Sequence, residues 1–204
     1  MGKQVTEAQC KQVGFIDEEE VMPRLRYAIN NNKVAMLEGP TGTGKTFVVR
    51  QLCEVADWPY VTANCHSTTN ASSLVGKWVF GSQGTPVWVD GILTDAMRHG
   101  KVCILEEING LRADVTLTLY GVMDEIRGRE LVLDAKDGEV VKAHEDFRII
   151  LTGNLGYRGT ERFNPAIKNR IAVYIHVGYL KEAHEADLLH NKTGIEKEMA
   201  KKIA

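Results

Sequence analysis

The segment Gly39-Pro40-Thr41-Gly42-Thr43-Gly44-Lys45-Thr46 follows the spacing G-x-x-x-x-G-K-[ST] in full. That spacing belongs to loops that cradle the phosphates of a nucleotide. Glycines let successive backbone N–H groups turn toward phosphate oxygens. The N-terminus of a following helix adds partial positive charge. Lys45 supplies a point charge for the β- and γ-phosphates, and the Thr46 hydroxyl can ligate Mg²⁺. Lys45 is therefore expected to lie largely exposed at the phosphate site.

Hydrolysis at such a loop needs one acid for Mg²⁺ and one to polarise the attacking water. Both belong at the C-terminal end of a neighbouring buried strand. Val102-Cys103-Ile104-Leu105-Glu106-Glu107 has that form. Glu106 is read as the metal-side acid, one methylene longer than the usual Asp, and Glu107 as the water-activating one. Asn154, after a further strand, can hold the lytic water or the γ-phosphate. Arg170 closes a helix predicted over 164–169. A neighbouring subunit could present it to the γ-phosphate as an arginine finger, or it complements the helix dipole. Arg158 and Arg162, in the same Gly-rich loop, are further candidates.

These residues need a scaffold. Residues 34–37 (VAML) read as a strand buried on both faces, followed by the glycine loop and a helix over about 45–55. Further strands are predicted at 60–63 (YVTA), 101–105 (KVCIL), 147–151 (FRIIL) and 171–177 (IAVYIHV), with helical stretches between, notably 111–126. Alternation of short apolar strands and helices predicts an α/β fold, a five-stranded parallel sheet with helices on both faces. Residues 1–32 read as a polar lead-in with one helix at 21–29, and 33–180 as the core. Residues 181–204 read as the start of a helical subdomain that the chain leaves incomplete. Segments 77–90 and 129–143 do not fit the alternation. Each has valine-rich arms around a glycine turn and is read as a β-hairpin insertion.

Composition removes other classes. The chain has 204 residues, 44 % hydrophobic and 25 % charged, an ordinary globular balance. Lys plus Arg number 25 against 27 Asp plus Glu, a net charge of −2. That makes nucleic acid an improbable partner, although Lys77 and Arg129 sit at hairpins that could face a pore. The apolar runs fall far short of the ~20 residues of a membrane helix, and the N-terminus has no secretory pattern, so a cytoplasmic location is expected. No two of the four cysteines are spaced as CxxC. Cys53 and Cys103 read as core thiols, and Cys65-His66 lacks a second pair for zinc.

In this order the motifs resemble the AAA+ ATPases: Walker A at 39–46, Walker B at 102–107, sensor 1 at Asn154 and the finger at Arg170. Within them the chain resembles the MoxR group, especially its CbbQ/NorQ branch and the cobaltochelatase subunit CobS. Ala63-Asn64-Cys65-His66, Ser73-Leu74-Val75-Gly76, Val87-Trp88-Val89-Asp90-Gly91 and Asn154-Leu155-Gly156-Tyr157 carry that closer likeness. Glu106 and Leu155 depart from the group's usual Asp and Pro.

The resemblance implies ATP and Mg²⁺ as ligands and a homo-oligomeric, hexameric ring that remodels or activates a client protein. It also implies a partner with a von Willebrand factor A domain, and work in metal-cofactor insertion or enzyme reactivation. ATP rather than GTP follows from the resemblance alone. Two alternatives stay open: a nucleic-acid motor or restriction-type NTPase on the same core, and a nucleotide-dependent scaffold that does not hydrolyse. For the first hairpin, strand alternation places Trp78 and Phe80 on one face and Val79 on the other. Phe80 is the aromatic expected to be free for contact with another polypeptide.

Overall fold

The computed structural model describes residues 2–82, 84–125, 128–154 and 165–203. In chain order its elements are α1 (Glu7–Gln12), α2 (Val21–Asn30), β1 (Ala35–Glu38), α3 (Lys45–Val55), β2 (Tyr60–Asn64), α4 (Ala71–Val75), β3 (Gly76–Phe80), β4 (Pro86–Asp90) and α5 (Ile92–His99). Then come β5 (Val102–Glu106), a 3-10 turn (Ile108–Gly110), α6 (Ala113–Leu117), α7 (Tyr120–Met123), β6 (Glu130–Leu133), β7 (Glu139–Lys142), β8 (Arg148–Gly153), α8 (Pro165–Lys168), β9 (Val173–His176), α9 (Glu182–Thr193) and α10 (Lys197–Ile203).

The five expected strands form one parallel sheet in the order β2-β5-β8-β1-β9. Alternation along each strand divides the core into two layers. Ala35, Leu37, Val102, Ile104 and Ile150 pack with Val48, Val49 and Leu52 of α3 and Leu25 and Ile29 of α2. Met36, Cys103, Leu105, Ile149 and Leu151 face the other way, onto Leu93 and Met97 of α5 and Val115, Val122 and Met123. The central strands β1, β5 and β8 are thus buried on both faces, which is why they read as unbroken apolar runs.

Three expectations need correction. The lead-in holds two helices rather than one, and its Val5 and Val13 are buried in the α2–α3 layer. The α1 helix starts at a capping box, in which Thr6 and Gln9 satisfy each other's backbone N–H groups. The helix expected over 111–126 is broken into α6 and α7. Within it the Thr116 hydroxyl donates to Arg112 O and Thr118 to Val115 O, and such back-bonding bends a helix. Arg129 does not face outward. It is 6 % exposed, with its guanidinium over the Phe147 ring and Nη2 donating to Asn32 O, and burial pushes its pKa down to about 10.

Both hairpins form, β3 with β4 and β6 with β7. They are joined to each other. Trp78 Nε1 donates to Ala135 O at 2.7 Å, and Arg98 of α5 pairs with both Asp90 and Glu139. Trp78 and Trp88 meet edge to face at 5.6 Å. Phe80 stands free at 83 % exposure.

Candidate nucleotide site

The loop after β1 owes its path to glycine at two kinds of position. At Gly39 (φ 151°) a Cβ would overlap the Val177 carbonyl oxygen, so the chain passes this close to the end of β9 only without a side chain. Gly42 and Gly44 take φ of 88° and 84°, the left-handed region that side chains resist. A Cβ on Gly42 would meet nothing within 4 Å. Backbone conformation rather than crowding selects that glycine, and the loop's outer side is open. Gly44 precedes α3 without a side-chain cap, so the first N–H groups of that helix are left for an anion. Inside the loop, Thr43 Oγ1 donates to Pro40 O at 3.1 Å.

Lys45 departs from expectation: it is only 6 % exposed. Its ammonium folds back under the loop and donates to Gly39 O (2.9 Å), Pro40 O (2.6 Å) and Asn154 Oδ1 (3.2 Å). Desolvation pushes its pKa below the usual lysine value, while the Glu107 carboxylate pulls it up. Asn154, just past β8, uses its other end as well, with Nδ2 donating to Thr41 Oγ1 at 2.7 Å. One amide therefore ties the buried lysine to the rim of the loop.

The two acids point in different directions. Glu106 lies on the Val102–Ile104 face of β5, toward α3, where its Oε1 accepts from Arg50 Nη2 at 2.7 Å. Arg50 is one helical turn beyond Thr46, so the pair brings Glu106 to the side of α3 that carries Thr46. A hydroxyl and a carboxylate are the hard oxygen donors Mg²⁺ takes. Among the described residues no three His, Cys, Asp or Glu side chains gather. The set fits a cation that takes its remaining ligands from phosphate and water. Glu107 sits at φ 52°, ψ 45°, an unusual left-handed conformation for a side-chain-bearing residue. Such strain costs ~1–3 kcal/mol and clusters at functional sites. Its carboxylate charge acts on Lys45, favouring the protonated ammonium.

Reasoning from sequence missed two parts of the site. Arg50 was readable only as a position four residues after Thr46. The other is a cavity of about 280 Å³ beside the loop, lined by Phe15, Ile16, Gly44, Phe47, Val177 and Tyr179 among others. Its walls come from the lead-in and from the chain after β9. Glu19 accepts from the Gly178 N–H at 2.9 Å, and Glu18 accepts from His184 and Lys181. The His184 bond holds the Glu18 carboxyl below its usual range. The apolar triplet Gly14-Phe15-Ile16 in a polar stretch was the signal for this wall. Its other wall, 177–180, is far away in sequence.

Arg170 bonds to none of the P-loop groups among the described residues. Its Nη1 donates to Ala166 O at 3.0 Å, and its guanidinium lies over the Tyr120 ring at 4.5 Å. Arg158, Arg162, Leu155-Gly156-Tyr157, and the start of the helix expected at 164 lie outside the described residues. Cys53, Cys65 and Cys103 are buried free thiols, with burial pushing Cys53 and Cys65 up to about 12. They are unreactive core groups.

The family profile of the AAA domain, dynein-related subfamily, matches residues 34–171. The chain belongs to that family. This AAA domain is 34 % identical over 181 residues to Protein CbbQ of Hydrogenophilus thermoluteolus, covering 88 % of this chain and 66 % of the relative. It is 38 % identical over 164 residues to an uncharacterized protein of Staphylococcus aureus, covering 78 % and 59 %. The fold superposes on that of a candidate ATPase from Cytophaga hutchinsonii with a TM-score of 0.71 at 19 % identity, covering 93 % of this chain and 55 % of that one. The CbbQ match agrees with the likeness to the MoxR group read from the motifs. The chain spans between about half and two thirds of the length of these relatives.

Proposed function

We propose that this AAA domain binds MgATP at the 39–46 loop and hydrolyses it within a homo-oligomeric ring, to remodel or activate a partner protein. The observation that carries the reading is the joined set of Lys45, Asn154 and Thr41 at the glycine loop. Gly39, Pro40, Thr41, Gly42, Thr43 and Gly44 wrap the phosphates with backbone N–H groups. Lys45 releases its loop carbonyls and turns its charge to the β- and γ-oxygens. Bound Mg²⁺ would supply neutralisation of phosphate charge, with Thr46 and Glu106 as the residues that hold it. Glu107 takes a proton from the attacking water, Asn154 orients that water or the γ-phosphate, and Arg170 of a neighbouring subunit stabilises charge in the transition state. The Phe15–Tyr179 cavity accepts the base and ribose.

A hexameric ring, a partner with a von Willebrand factor A domain and metal-cofactor insertion follow from the likeness to the MoxR group, while the short apolar runs and the N-terminus favour a cytosolic setting. Among the described residues no helix is long and apolar enough to cross a membrane. Burial of Arg129 takes away one of the two cations that a nucleic-acid motor would present at its hairpins. The test is Mg²⁺-dependent phosphate release from ATP, with and without DNA. Release unaffected by DNA is expected. Stimulation by DNA would favour the motor, and binding without release would favour the scaffold.

A further inference from the structure

We propose that Tyr120 is a positioning residue for Arg170, holding the guanidinium so that it is ready to meet the nucleotide of a neighbouring subunit. This rests on the reading of Arg170 as a finger. Arginine has a long side chain with much rotamer freedom to lose. A finger that must find a phosphate across a subunit boundary works better when that freedom is already lost. Two contacts hold it here. The guanidinium carbon lies 4.5 Å from the Tyr120 ring centroid, the shortest of the cation–ring contacts among the described residues. Nη1 donates to the Ala166 carbonyl at 3.0 Å. A guanidinium carries five N–H donors in a fixed plane, so this bond leaves donors on the same plane for phosphate oxygens.

The platform is itself fixed. Tyr120 packs, half-buried, against the core layer that holds Leu119, Val122 and Met123, all at most 1 % exposed. A ring has only two side-chain torsions, and both are restrained by that packing. The flat face is thus a fixed reference built on α7, and the backbone of Arg170 is tied by its N–H to Ile167 O at 2.9 Å.

The test compares the full chain with its Arg170→Ala, Tyr120→Phe and Tyr120→Met variants. Three quantities are read: ATP turnover, ATP affinity by direct binding, and thermal midpoint. Met adapts to the packing volume but has no ring face. Tyr120→Met should lower kcat about two- to thirtyfold, the equivalent of the 0.5–2 kcal/mol of a cation–π contact. ATP affinity should stay within about twofold and the midpoint within a few degrees, while Tyr120→Phe keeps kcat. A Met variant with normal kcat overturns the proposal. So does one that fails to fold or loses affinity and midpoint together with kcat, or a Phe variant as impaired as Met. If Arg170→Ala itself keeps full turnover, the finger reading fails first and the role of Tyr120 goes with it.

Discussion

Lys45→Met removes the charge that the loop is built around while keeping the buried stem. Two terms bear on stability. The ammonium donates three bonds, to Gly39 O, Pro40 O and Asn154 Oδ1, and bonds to a charged group contribute ~1.5–3 kcal/mol each. Against them stands the cost of keeping an ammonium at 6 % exposure, which shows as a pKa below the usual lysine value. For a cation whose folded-state pKa is depressed, the penalty is fully present below the folded value and is relieved as pH rises through it. At neutral pH the penalty is therefore complete, and the two terms oppose each other. The folded state should shift by only ~1 kcal/mol, a few degrees in midpoint for a domain of this size. Nucleotide binding has no such compensation. Truncating one partner of a buried charge pair costs ~2–5 kcal/mol, or about thirty- to several-thousandfold in affinity. Calorimetric titration with MgATP, beside a thermal melt, reads both. The same desolvation predicts that wild-type affinity falls with rising pH sooner than an ordinary lysine would give, and that this fall is absent from the Met variant. Binding within threefold of wild type would refute the phosphate role of Lys45. A midpoint lowered by more than about ten degrees would refute the claim that burial offsets its bonds.

Glu107→Gln should bind MgATP normally but turn over slowly, whereas Glu106→Gln should also need more Mg²⁺ for binding; identical behaviour in both assays would refute the division of roles. Arg170→Ala should bind ATP yet lose about 10³–10⁵ in turnover. Mixing it with Glu107→Gln subunits should restore part of the activity, and failure to do so in a proven ring would argue against a finger in trans. Phe80→Ala, at an 83 % exposed tip position, should leave basal ATPase within about twofold and impair client remodelling; an unaltered remodelling rate would move client contact elsewhere.

The motif 39–46 was complete in the sequence because its requirements are local. Left-handed backbone at Gly42 and Gly44 and a helix opening at Lys45 need only neighbours along the chain. The five strands were legible for a related reason: burial on both faces leaves an apolar run that periodicity detects. The hairpin 77–90 and the exposure of Phe80 followed from strand alternation. Local rules failed where distant segments meet. Lys45 was expected in solvent because a phosphate loop is open, but the amide of Asn154, 109 positions away, closes over it. Arg129 was expected at a rim, yet it packs on Phe147 and the end of α2. The cavity beside the loop joins Phe15 to Tyr179, and no periodicity relates those positions. The partnership of Glu106 with Arg50 depends on α3 lying across β5. Sequence by itself determined the glycine-loop pattern at 39–46 and the strands that carry it, since backbone conformation and burial pattern are written in nearest neighbours. The strand order β2-β5-β8-β1-β9 decided the rest, by setting β8 beside β1 so that Asn154 at the end of one strand and the loop after the other converge on one lysine.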